Sequence, residues 1–128
     1  MIVAGIGCRR GAGAPDIEAA IRAALARAGI AAADLEAIAT ASAKAAEPGI
    51  AATAAKLGLC VVLVPDAELK AAGTRVATRS DRVLAHTGVP SLAEAAALAA
   101  AGPASRLIAS RLVVGVATCA LASSGAAQ

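Results

Sequence analysis

The sequence contains no phenylalanine, tyrosine or tryptophan, only one histidine and one methionine, and only three cysteines among 128 residues. Each scarcity removes a class of function. Single-stranded nucleic acids are held by stacking bases on aromatic rings, and no ring is available for that. A site built on imidazole would have to rely on His86 alone. Cys8, Cys60 and Cys119 are an odd number at no metal-ligand spacing, which argues against a disulfide framework and against a zinc cage. Cys60 and Cys119 fall in apolar runs and read as small buried hydrophobes in a reducing, cytoplasmic setting. Long apolar runs are also missing. Residues 1–7 are too short for a secretory signal and meet Arg9 and Arg10, and residues 112–122 are too short to cross a bilayer. They predict neither nucleic-acid nor membrane partners.

What is present is aliphatic. Hydrophobic types make up 59 % of the chain, so without aromatics the core has to come from Ile, Leu, Val and Ala, with backbones in close approach. A chain of this length is one domain, able to bury roughly two-thirds of its unfolded surface. The net charge of +3 suits a site for a polyanionic small molecule and equally suits ordinary surface charge.

Strand and helix patterns alternate. Residues 2–6 read as a buried strand, followed by a loop over 7–13 with three glycines and two arginines. Pro15 opens a helix with Asp16 and Glu18 at its positive end, Ile17, Ile21 and Leu25 form its apolar stripe, and Gly29 stops it. Residues 35–40 predict a second strand, 42–48 a polar loop, and Ile50, Ala54 and Leu57 a helical stripe closed by Gly58. The β-branched run 59–64 predicts a central strand. Asp66 caps a short helix over 67–72, and 74–79 reads as strand or loop. Ser80 caps a helix to about Thr87, and Ser91 with Glu94 forms a capping box opening an Ala-rich helix that ends at Gly102-Pro103. Residues 107–108 and 112–122 predict two closing strands turned near Ala109-Ser110, and 123–128 a frayed tail. The expected fold is a three-layer α/β/α domain over residues 1–122, with a mixed, mostly parallel sheet.

The glycine loop admits three readings. As Gly5-Ile6-Gly7 with Gly11 it lacks the dinucleotide spacing, and no Walker sequence occurs. As an anion site it offers close backbone approach, a following helix N-terminus, and the guanidinium forks of Arg9 and Arg10. The plain alternative is a solvated turn. Cys8 would need a base, and nothing in the sequence brings His86 to it; His86 reads better as a helix C-terminal residue. Lys44 and Glu47 occupy a loop after a strand, where functional residues gather in such folds, or else form a surface ion pair. Glu94 has the capping role open to it, and ligand contact besides.

Taken in order, four segments resemble one family. Gly5-Ile6-Gly7-Cys8-Arg9-Arg10-Gly11 is similar to the opening signature shared by CobE-type proteins and the carboxy-terminal domain of CbiG. Lys44-Ala45-Ala46-Glu47-Pro48-Gly49-Ile50 resembles that family's K-x-x-E-x-G segment. Ser80-Asp81-Arg82-Val83 followed by residues 87–98 resembles its third signature, and Ala117-Thr118-Cys119-Ala120-Leu121-Ala122 its last. The resemblance implies a three-layer α/β domain acting in cobalamin biosynthesis on a corrinoid or precorrin, in the short form without the amino-terminal portion of CbiG. It leaves room for contact with other pathway enzymes. It makes Gly7, Cys8, Arg9, Arg10, Gly11, Lys44, Ser80 and Thr118 ligand-binding candidates. The first expectation is a protein that holds or hands over an intermediate. The alternative is a hydrolase opening the lactone of a precorrin-5A-type ring with release of acetaldehyde, which would need Glu47 or Glu94 as general base and the 7–11 amides as oxyanion donors. No cofactor or protein-bound metal is implied.

Overall fold

The computed structural model describes residues 1–77 and 91–124. Five strands, β1 (Ile2–Cys8), β2 (Leu35–Ala41), β3 (Cys60–Val64), β4 (Arg106–Val114) and β5 (Ala117–Ser123), form one sheet in the order β3-β2-β1-β5-β4. The β1–β2 and β2–β3 pairings are parallel, and β5 runs against both β1 and β4, so four strands share a direction. The mixed α/β sheet expected from the alternating pattern is therefore present. Its helices are α1 (Ala14–Ala28), α2 (Pro48–Leu57), α3 (Asp66–Ala72) and α4 (Leu92–Ala101). No helix among the described residues is long and apolar enough to span a membrane.

Alternation along β1 sorts the two layers. Ala4 and Ile6 face α1 and α2 in a core with Ile17, Ile21, Leu25, Ile38, Ile50 and Leu121. Val3 points to the other face, where Ala39, Val64, Leu69, Ala97 and Leu98 pack. Helix α1 ends as its sequence dictates. Gly29 adopts φ 70°, its N–H reaches Ala26 O, and the Ile30 N–H reaches Leu25 O at 2.9 Å, a Schellman closure.

Helix α4 lies unusually close to β1. A side chain at Gly5 would fall on the Ala93 carbonyl and come within 2.7 Å of Ala97 N and 2.9 Å of Ala97 Cβ. Small residues on both partners thus replace the missing aromatics: the core gains contact by bringing backbones together rather than by filling space with rings.

Four expectations need correction. The 59–64 run is an edge strand, not a central one, and Val62 and Leu63 are 38 % and 45 % exposed, with Cys60 exposed beside them. The closing hairpin does not turn at Ala109-Ser110. Strand β4 runs through that point with a register shift, and the turn is at Gly115, φ 59°. Ser91 and Glu94 form no capping box: the Ser91 hydroxyl makes no cap bond, and the Glu94 carboxylate is turned to other elements. Ser123 closes β5, and the Ser124 N–H bonds Met1 O at 2.8 Å, so the chain is tied down one residue beyond the expected start of the tail. The helix expected from Ser80 to Thr87, with Ser80 and His86, lies outside the described residues.

Candidate functional site

In an open α/β sheet the strands' carboxyl ends and the helix N-termini that follow them share one rim, which is where ligands bind. Here β1 delivers Gly7 and Cys8 to that rim, and a tight turn follows in which the Ala12 N–H bonds Arg9 O at 3.1 Å. Gly11 takes φ 78° at the turn's third position, as a type II turn requires. The turn is fixed from two sides. The Arg9 N–H bonds Val116 O at 3.1 Å, and the Gly11 N–H bonds Glu47 Oε1 at 2.9 Å.

Glu47 sits immediately before α2, and Lys44 ends the short 3-10 turn Ser42–Lys44 that follows β2. Two further contacts hold this second loop against the first. A side chain at Gly49 would fall on Ala12 O, and the Thr53 hydroxyl bonds Ala14 O at 3.2 Å and Gly49 O at 2.8 Å. The first turns of α1 and α2 therefore stand side by side. Beneath them the Thr40 hydroxyl donates to Ile6 O at 2.9 Å and the Thr118 hydroxyl to Gly7 O at 3.1 Å, so neighbouring strands on both sides lock the end of β1.

The structure thus brings Gly7, Cys8, Arg9, Arg10, Gly11, Lys44, Glu47 and Thr118 to one rim. Arg9 and Arg10 are exposed, Lys44 is half-buried, and none of the three side chains makes a hydrogen bond or ion pair with a described residue. The amides of Arg9, Gly11 and Ala12 are all engaged, so the turn offers a ligand its guanidinium forks more than its N–H groups. Cys8 is half-buried. Burial pushes its thiol pKa up, the Lys44 charge pulls it down and the Glu47 charge pushes it up, with the net effect upward. A thiol held protonated is a poor nucleophile.

Glu94 belongs to a different arrangement. It is fully buried in the first turn of α4, where Oε1 accepts the Ala77 N–H at 2.8 Å and Oε2 accepts the Arg111 N–H at 2.7 Å. Those bonds brace the irregular stretch of β4 and the segment after α3. Ser91, expected to cap α4, has its hydroxyl fully buried at the start of that helix with no hydrogen-bond partner. Sequence reasoning missed Thr40, whose β-strand setting gave no hint of its bond to Ile6 O. No group of three potential metal ligands occurs among the described residues.

A family model described as cobalamin synthesis G C-terminus matches residues 2–122. The curated protein CobE of Sinorhizobium sp. is 40 % identical over 121 residues, covering 94 % of this chain and 79 % of the relative. The crystal structure of CobE, a protein from the cobalamin (vitamin B12) biosynthetic pathway, superposes with a TM-score of 0.89 at 36 % identity, over 95 % of this chain and 89 % of the other. The cobalamin biosynthesis protein chiG from Agrobacterium tumefaciens gives 0.77 at 46 % identity, over 96 % and 98 %.

Proposed function

The chain belongs to the cobalamin synthesis G C-terminal family and is a cobalamin-pathway protein; from that premise we propose that it binds a corrinoid or precorrin intermediate and holds or hands it over. Corrin precursors are macrocycles bearing several acetate and propionate carboxylates. Arg9, Arg10 and Lys44 supply three unpaired cations on one rim, and guanidinium forks suit carboxylates. Gly7, Cys8, Gly11 and Thr118 shape the floor; Ser80, which the family resemblance makes a ligand-binding candidate, lies outside the described residues. With no aromatic ring in the chain, contact with the macrocycle is aliphatic. The observation that carries this reading is the Gly11–Glu47 bond, which ties the Arg9-Arg10 turn to the Lys44 loop.

The features favour holding over hydrolysis. Both Glu94 oxygens accept main-chain N–H groups, three amides of the glycine turn are engaged, and Cys8 is kept as the thiol. Glu47 is the remaining base candidate for lactone opening. Incubating the purified protein with a precorrin-5A-type substrate separates the two. Stoichiometric binding with the ring recovered intact supports the holding role; ring-opened product with acetaldehyde makes it a hydrolase; no binding rejects both.

A further inference from the structure

Strand β3 is bare on both faces of the sheet at once. Leu63 follows Val61 on the side of α1 and α2, while Val62 lies between Cys60 and Val64 on the side of α4, and both Val62 and Leu63 are well exposed. A missing helix would bare one face only. A missing strand bares both, because paired strands cover each other's side chains above and below the sheet. Among the described residues nothing pairs with the outer edge of β3, so its outward main-chain N–H and C=O groups are unclaimed there as well.

The opposite edge of the sheet is blunted. Strand β4 carries Arg106 and Arg111, shifts register twice, and gives its Arg111 N–H to Glu94 Oε2. Charge and irregular backbone keep an edge strand from pairing with another chain. Cys60–Val64 has neither protection: it is uncharged, free of proline and regular in its pairing with β2.

The sequence of β3 is complementary to itself. Set antiparallel to its own copy about Val62, it places Val62 against Val62, Val61 against Leu63 and Cys60 against Val64, apolar on apolar throughout. Lys56 and Glu68 stand six positions on either side of Val62, with Asp66 close by, so each copy's lysine end meets the other's acidic end. All three are exposed, Lys56 even while it pairs with Glu18. Joining β3 to β4 of another copy would instead be head-to-tail, which leaves the chain of contacts open.

We infer that two copies of this chain join through β3, antiparallel about a two-fold axis at Val62, so that their sheets become one. The two β3 strands run in opposite directions, which puts the rims bearing Arg9, Arg10 and Lys44 at opposite ends and leaves both open. The inference is independent of what those rims bind. Five strand residues a side make a small contact, of the kind that associates weakly and reversibly.

Sedimentation velocity over micromolar to millimolar protein tests it. Wild type is expected to pass from monomer to dimer as concentration rises. Val62→Lys sets two like charges face to face and is expected to stay monomeric throughout, with an unchanged urea midpoint because the position is exposed. Cross-linking reads the register and does not depend on how well that variant folds. In a Cys60→Ser background, Val62→Cys puts thiols on directly opposed residues, with Cα atoms about 4.5–5.5 Å apart and within disulfide reach. The wild-type Cys60 pair is roughly 14 Å apart and out of reach. Mild oxidation should therefore give a covalent dimer rapidly from Val62→Cys and only slowly from wild type. Wild type that remains monomeric at every concentration overturns the inference. So does a dimer that survives Val62→Lys, or cross-linking of wild type as fast as that of Val62→Cys.

Discussion

The Gly11 N–H donates to Glu47 Oε1 at 2.9 Å across thirty-six positions of sequence, and this bond joins the two loops that bear the site's cations. Its two ends respond differently to substitution. Glu47→Gln keeps a carbonyl oxygen for the Gly11 N–H, so it should retain corrinoid affinity within about threefold. Glu47→Ala removes the acceptor and should weaken binding about tenfold or more by freeing the turn. Calorimetric titration of both variants checks this, and equal affinities for the two would show that the tie does not shape the site.

Gly5 is where α4 touches the sheet most closely. Gly5→Ala should cost about 3 kcal/mol or more, because its methyl meets backbone atoms that cannot move aside singly. Gly13→Ala is the matched control. There a Cβ would meet only Pro15 Cδ at 3.5 Å and Asp16 Oδ2 at 4.0 Å, at an ordinary φ of −77°, so stability should change little. Urea denaturation of the pair reads the difference directly.

Glu94 ties α4 to β4 and to Ala77 through two main-chain amides. Glu94→Gln retains one acceptor and turns an amide NH₂ towards the other N–H, which should destabilise the fold by about 1–3 kcal/mol. Hydrogen exchange at Arg111 and Ala77 should quicken in this variant. Unchanged stability with lost turnover or binding would instead assign Glu94 to the ligand.

The thiols predict a loss of stability in alkali. Burial pushes the Cys119 pKa from 9.0 up to about 12, and burial is also the largest influence raising that of Cys8. Below pH 9 both states hold these protons and stability is complete. As pH rises from 9 towards 12 the unfolded chain releases protons that the folded chain retains, so folding becomes less favourable. Cys119→Ala should flatten this decline when urea midpoints at pH 8 and pH 10.5 are compared with wild type. At neutral pH a thiol reagent should label exposed Cys60 first, Cys8 slowly, and Cys119 only after unfolding.

Much of the fold is legible in the sequence because its signals are local. Pro15, the Ile17-Ile21-Leu25 stripe and Gly29 specify α1 within fifteen residues of chain, and Gly58 stops α2 by the same geometry. The misreadings arose where a local pattern was decided by distant chain. Ser91 and Glu94 have capping-box spacing, yet the amides of Ala77 and Arg111 claim the carboxylate. The apolar run of β3 reads as central because composition does not say which strands flank it. The site divides in the same way. Arg9, Arg10, Lys44 and Glu47 stand out as charged residues in loops after strands, whereas the bond joining those loops depends on β1 and β2 lying side by side. Ser91 is legible as the start of its helix; that its buried hydroxyl makes no cap bond is not, because this depends on what packs around it.

The direct measurement is the affinity for cobyrinic acid of the wild type against the triple variant Arg9→Ala, Arg10→Ala, Lys44→Ala, at low and at high salt. Three unpaired cations on one rim predict stoichiometric binding that weakens with salt, and at least a hundredfold loss in the triple variant, at roughly 1.5–3 kcal/mol for each charge-assisted bond made. Equal affinity for the two proteins, or binding indifferent to salt, would contradict the account.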